Sequence, residues 1–286
     1  MKILRLTSLL VATVVGLAAA QPPAPPPAGL RVFTTGHSFH AWVAPLLADV
    51  ARQAGITGHV NAGVAPLGGS TVAKIWAAEP GAKVREALST GKIDVLTLSP
   101  IWLPDDGIEQ FVRFGLEKNP NLRVTVQEFW LPNDEYHPVY PLEVRKRVDH
   151  NATDLAKLRE ANARYERDIE AHVRDLNARF GRDAIVVVPV GAASVALREK
   201  IVAGQAPGLK VQWRLFRDDW GHPTTPLRVL AAYCHYAVIY RRSPVGLPLP
   251  PEFERNTDYA NPALNRLLQE IAWEAVVANP HTGVSR

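Results

Sequence analysis

The residues best suited to covalent chemistry are a serine near the start of the chain and a histidine far downstream. Gly36-His37-Ser38-Phe39 follows a strand-like run, Leu30 to Thr35, and Asp219-Trp220-Gly221-His222 stands in the last third of the chain. A serine hydroxyl is a poor nucleophile until a base takes its proton, and imidazole is the usual base. The imidazole in turn needs a group that fixes its tautomer and stabilises its charged form. Asp219, three residues before His222, fits that need. Ser38 thus reads as nucleophile, His222 as base and Asp219 as the orienting acid. Each fragment alone has a plainer reading. A serine after a strand commonly caps the next helix, and Asp-x-x-His beside Gly221 and Pro223 commonly makes a surface turn.

To meet, these residues must be delivered to one end of a common scaffold. Strand-like runs occur at Arg31 to Thr35, Gly58 to Ala62, Ile93 to Leu98, Leu122 to Phe129 and Ala184 to Val190. Helical periodicity occurs at Trp42 to Ala54, Ala82 to Ser89, Asp106 to Leu116, Asp154 to Phe180, Ser194 to Val202 and Leu227 to Tyr240, with a terminal helix at Asn261 to Val277. Val211 to Phe216 also reads as strand-like. This alternation predicts an α/β domain with a parallel sheet and helices on both faces. Ligands in such sheets bind beyond the carboxyl ends of the strands, where Ser38 would stand. Residues 131–150 form a long irregular stretch, a kind of segment that often serves function.

Composition narrows the partners. The 286 residues are 47% hydrophobic and 21% charged, as in ordinary globular proteins. The formal net charge is +4, of which Lys2 and Arg5 supply two. That is too weak to argue for nucleic acid or an anionic membrane. Met1 to Ala20 reads as a secretory signal: a basic start, an apolar core from Leu9 to Leu17, and Ala18-Ala19-Ala20 as a cleavage site. A secreted or periplasmic protein is expected, with no membrane span left after cleavage, since the apolar core is short. Residues 21–29 carry five prolines and read as an extended linker. Residues 30–286 then form one domain. Cys234 is the only cysteine, so there is no internal disulfide and no cysteine-based metal site. No zinc-type spacing, phosphate-binding loop or dinucleotide fingerprint occurs, and no cofactor is expected.

Taken together, these blocks resemble the SGNH hydrolase superfamily, the GDSL-like esterases and lipases, over about Leu30 to Leu247. Gly36-His37-Ser38-Phe39 is similar to the nucleophile block, and Asp219-Trp220-Gly221-His222 with Pro223 to the last block. The helix containing Leu230-Ala231-Ala232, then Ser243-Pro244-Val245-Gly246, looks like secreted bacterial members. The resemblance implies a three-layer α/β/α sandwich with a five-stranded parallel sheet, of flavodoxin-like type. It also implies a second-block glycine, here Gly69 in Leu67-Gly68-Gly69-Ser70. The backbone N–H groups of Ser38 and Gly69 would then line an oxyanion hole.

Two departures stand out. The third block of the family, Gly-x-Asn-Asp, is here Leu98-Ser99-Pro100-Ile101-Trp102 and holds no asparagine. Losing one oxyanion donor typically costs about 2.7–4 kcal/mol. Asn133, after the fourth strand, lies at the correct end of the sheet and is the candidate substitute, although such an asparagine also makes turns. His37 stands where the family usually has Asp or Asn. His40, Trp102, Trp130 and Trp220 are candidate substrate contacts, with helix-start and core-packing roles as their alternatives. His137, in the long loop, is another. The expected function is a serine esterase working through a Ser-His-Asp triad and an acyl-enzyme. Its substrate would be a small-molecule or carbohydrate ester, with sugar O-acetyl groups as the specific expectation. The alternatives are a non-catalytic carbohydrate-binding protein on a degenerate hydrolase fold, and a lipase or thioesterase.

Overall fold

Val95-Leu96-Thr97-Leu98 is buried at every residue, so both faces of this strand are covered. In the computed structural model, which describes residues 25–136 and 148–285, it is the middle strand of a five-stranded sheet. The expected leader, Met1 to Ala20, and His137 lie outside the described residues. In chain order the elements are β1 (Arg31–Gly36), α1 (Val43–Gln53), β2 (Val60–Pro66), α2 (Val72–Ala77), α3 (Glu79–Ser89), β3 (Val95–Leu98) and α4 (Asp106–Lys118). There follow β4 (Arg123–Gln127), α5 (Leu155–Phe180), β5 (Ile185–Val188), α6 (Val190–Val202), α7 (Thr225–Tyr240), α8 (Pro251–Glu254) and α9 (Pro262–Ala278). All strand pairs are parallel, in the order β2-β1-β3-β4-β5. That is the flavodoxin-like order, whose winding reverses between β1 and β3 and leaves a crevice there. Ser38 follows β1 directly, at that crevice. Among the described residues no helix is long and apolar enough to cross a membrane.

Helices α1, α7 and α9 pack together, as do α2, α3 and α4. Helix α7 is buried at every position except Arg228, and α1, α6, α9 and β5 surround it. A helix apolar on all sides belongs in such a place. Cys234 lies within it, fully buried.

Three details differ from the sequence expectations. The second strand starts later, at Val60, and extends to Pro66, so residues 67–70 carry the chain toward the next helix. Helix α2 was not foreseen, because part of its cap comes from far along the chain. Asp105 accepts hydrogen bonds from Val72 N at 2.7 Å and Ala73 N at 2.8 Å. Val211 to Phe216 is not a strand. Gln212–Leu215 is a single 3₁₀ turn, and Phe216 pairs only with Pro223 in an isolated bridge. That bridge closes the base of a loop instead of extending the sheet.

One buried acid sits at the active end of the sheet. Glu128, just past β4, is fully buried, and its Oε2 accepts from Ala192 N in the first turn of α6 at 2.8 Å. Burial pushes its pKa up to about 8, with the Glu166 and Glu170 charges adding to the rise. The native state therefore keeps this proton between pH 4.5 and about 8, while the unfolded chain loses it near pH 4.5. The associated stability is complete below pH 4.5 and falls as pH rises through the native pKa. The slope is at most about 1.4 kcal/mol per pH unit for one group. Denaturant melts at pH 6.5 and 8 should show this loss in the wild type. Glu128→Gln should flatten it; an unchanged slope in the variant would exclude Glu128 as its source.

Candidate active site

Gly36 ends β1 beneath the nucleophile. A Cβ there would lie 2.7 Å from His40 Cδ2, so glycine lets the His40 ring tuck under the strand end. The ring is fully buried. Its Nδ1–H donates to Gln127 Oε1 at 3.0 Å, and its Nε2 accepts from the Thr97 hydroxyl at 3.0 Å. Burial lowers its pKa to about 4, so it stays neutral. Gln127 Nε2 also donates to Phe39 O at 3.1 Å. His40 is thus an internal strut under residues 37–40, not the substrate contact expected from sequence. His37 is similar. Its Nδ1 accepts from Phe39 N at 3.3 Å and its Nε2–H donates to Ser99 Oγ at 3.1 Å. Burial lowers its pKa to about 3.

This bracing leaves Ser38 exposed at the turn. Its carbonyl accepts from Trp42 Nε1 at 2.9 Å, and its Oγ lies 2.9 Å from His222 Nε2. His222 belongs to a loop closed at its base by the Phe216–Pro223 bridge. Arg217 N also donates to His222 O at 3.0 Å, and Thr224 N to Leu215 O at 2.9 Å. Inside the loop, Asp218 Oδ1 accepts from Trp220 N and His222 N, both at 3.1 Å. Its Oδ2 lies 2.8 Å from His222 Nδ1. The carboxylate that meets the ring is therefore Asp218, four residues before the histidine, and not Asp219. The reason is local. Only a side chain at the head of the turn can take both turn amides on one oxygen and present the other to the ring. With Nδ1–H donated to Asp218, the Nε2 lone pair is free to accept the Ser38 proton.

Aromatic packing holds the imidazole from behind. The Phe39 and His222 rings meet edge to face at 4.8 Å. Phe39 also stacks on Trp130, at 4.8 Å with 12° between the planes. Trp130 is buried, and its Nε1 donates to Gly221 O at 2.9 Å. It braces the histidine loop and offers no face to substrate, contrary to expectation.

Ser38 and His222 open onto a cleft of about 230 Å³. Gly69, Ile101, Phe129, Pro132 and Trp220 line it with them. Gly69 has φ +62°, a conformation that favours glycine. Among the described residues, neither the Ser38 nor the Gly69 backbone N–H donates to another protein group. Both residues line the cleft. Asn133 is buried, with φ 52°, in the 3₁₀ turn Pro132–Asp134, and is not among the cleft residues. Its place in the structure is that turn. Trp102 is half-buried and also outside the cleft lining, while Trp220 is within it. A larger groove of about 330 Å³ runs beside Trp76, Glu109 and Arg113 but holds no serine or histidine. Burial pushes the Cys234 thiol up, which removes it as a competing nucleophile.

Sequence reasoning missed Asp218 although the signal was present. Two adjacent aspartates precede His222, and the three-residue spacing of the family selected the second. Ile101, Phe129 and Pro132 left no signal, since apolar residues after strands read as core.

No family model matches this chain, and no curated protein matches it. Among solved structures it shares its fold with a DUF4886 family protein from Bacteroides uniformis. The TM-score is 0.54 at 16% identity, over 90% of this chain and 97% of that one. Weaker similarities include phospholipase A1 from Streptomyces albidoflavus, with a TM-score of 0.43 and 12% identity over 74% of this chain and 99% of that one. A Clostridium thermocellum family 3 carbohydrate esterase gives 0.42 and 15% over 74% of this chain and 98% of that one.

The aspartate assignment has a direct spectroscopic check. A proton held between His222 Nδ1 and Asp218 should give a low-field NMR resonance. Asp218→Asn should abolish it and Asp219→Asn should leave it in place. The opposite pattern would restore Asp219.

Proposed function

We propose that the chain is a serine carboxylester hydrolase. The observation that carries this reading is the continuous chain from Ser38 Oγ through the His222 ring to Asp218, with links of 2.9 and 2.8 Å, at the mouth of an apolar cleft. Ser38 Oγ attacks the ester carbonyl while His222 Nε2 takes its proton. The Asp218 carboxylate stabilises the resulting imidazolium. Backbone N–H groups of Ser38 and Gly69 receive the oxyanion of the tetrahedral intermediate. The intermediate collapses, and the alcohol leaves with the proton from His222. Water, deprotonated by the same ring, then hydrolyses the acyl-enzyme and returns the free serine.

The cleft also bears on the acyl group. Its wall at Ile101, Phe129, Pro132 and Trp220 is apolar, and His37 beside it stays neutral. At about 230 Å³ it is smaller than the roughly 300–1,000 Å³ typical of drug-sized sites. A short, uncharged, apolar acyl chain fits these properties better than a long lipid tail. Carbohydrate as the alcohol loses much of its motive, because Trp130 is buried and Trp102 lies outside the cleft lining.

p-Nitrophenyl esters of increasing acyl length test both parts. Ser38→Ala should lower kcat by about 10⁴-fold or more; equal rates in variant and wild type would exclude the mechanism. kcat/KM should rise by up to about fourfold per added methylene from acetyl to butyryl or hexanoyl, then fall. Trp220→Ala should flatten that rise. A maximum at acetyl would favour a deacetylase, and a continuing rise past dodecanoyl would favour a lipase. Saturable sugar binding without turnover would favour the non-catalytic alternative.

A further inference from the structure

A second histidine stands behind the loop that carries the triad. His150 is fully buried, and both ring nitrogens face oxygen. Nδ1 lies 3.0 Å from Asp134 Oδ2, and Nε2 lies 3.3 Å from the backbone carbonyl of Asp218. Asp134 is clamped in turn. Arg198 donates to its two carboxylate oxygens at 2.5 and 2.9 Å, and the Thr153 hydroxyl donates to Oδ2. Burial alone would raise the Asp134 pKa, but the Arg198 and His150 hydrogen bonds hold it well below the usual carboxylate range. Arg198 is itself buried, and also donates to His150 O at 3.2 Å and Gln212 Oε1 at 2.6 Å. The His150 ring lies 4.2 Å from that of Phe216, the residue at the base of the histidine loop.

Stability does not explain such a cluster well. A buried ion pair is often no better for stability than apolar residues of the same volume. This one ends on the main chain of one particular residue, the acid that orients His222. We propose that His150, anchored by Asp134 and Arg198, is a positioning residue that fixes the Asp218 backbone and thereby aims the triad carboxylate. The proposal rests on the reading of Ser38, His222 and Asp218 as a triad. The cluster gathers residues from the turn after β4, from α6 and from the 3₁₀ turn before the loop. All three are tied to the loop through the Nε2 side of one imidazole, whose two nitrogens both face acceptor oxygens. A displacement of about 1 Å at a catalytic group can cost about 10²-fold in rate, so such a tie matters to turnover.

The two ends of the imidazole can be tested separately. An asparagine at 150 can present its amide near the Nδ1 position and keep the Asp134 contact. A glutamine can reach the Nε2 position and keep the Asp218 contact. kcat and KM for p-nitrophenyl butyrate, and hydrogen exchange over residues 217–222, should be measured for the wild type, His150→Gln and His150→Asn. His150→Asn should lower kcat by about tenfold with little change in KM, and should speed exchange in the loop. His150→Gln, which keeps the Asp218 contact but gives up the Asp134 anchor, should lose less than His150→Asn in both. Equal losses in the two variants, or a greater loss in His150→Gln, would overturn the proposal in favour of a purely structural Asp134 contact. If the wild type shows no turnover, the esterase reading fails, yet the exchange data still decide the tie. If neither variant folds, ¹⁵N-edited NMR of the wild type serves. A His150 Nε2–H protected from solvent supports the contact, and a freely exchanging one contradicts it.

Discussion

The Asp218 carboxylate is the constraint on which the site depends. One oxygen accepts two amides of its own turn, and the other faces Nδ1 of His222. The same side chain therefore shapes the loop and selects the imidazole tautomer. Without the amide bonds the carboxylate could rotate away from the ring. Without the ring bond, Nε2 would have no reason to carry the lone pair that accepts the serine proton. The bridge between Phe216 and Pro223 and the Trp130 bond to Gly221 O keep the loop in place around it.

The Ser38 turn is held by a different device. Ser38 rides on a short turn whose underside is a polar cluster centred on Gln127. Gln127 Oε1 accepts from both His40 and His235, and its amide donates to Phe39 O. Burial lowers the pKa of His37, His40 and His235 alike. Neutral neighbours matter to the proposed mechanism, because another cation beside His222 would oppose the charge His222 would gain on taking the serine proton. Each of these rings meets hydrogen-bonding groups that a neutral imidazole can satisfy at least in part. Where the resembling pattern has an asparagine after the third strand, this chain has none. The residue that ends β3, Leu98, is followed by Ser99, which is bonded to His37 and is fully buried.

Much of the scaffold was legible because it depends on local patterns. Continuous apolar runs separated by helical periodicity gave the five strands, and with them the place of Ser38 just past the end of β1. The His222 end was legible only in part. Asp218 and Asp219 are equivalent in type and nearly so in position, and the choice between them lies in turn hydrogen bonds that spacing does not encode. Trp130 and His40 were misassigned for another reason. Residue type tells what a side chain can bind, whereas burial against Phe39 and Gln127 decides what reaches it. Helix α2 and the His150 cluster were invisible, because their partners lie tens of residues away and carry no periodic signal.

Covalent labelling tests the central claim most directly. A fluorophosphonate probe reacts with a serine only when a base activates the hydroxyl and the site stabilises the tetrahedral phosphorus. Intact-mass and peptide analysis should find one adduct per chain, on Ser38, formed by the wild type and lost in His222→Ala. An unlabelled wild-type chain, or an adduct on another serine that survives His222→Ala, would contradict the account.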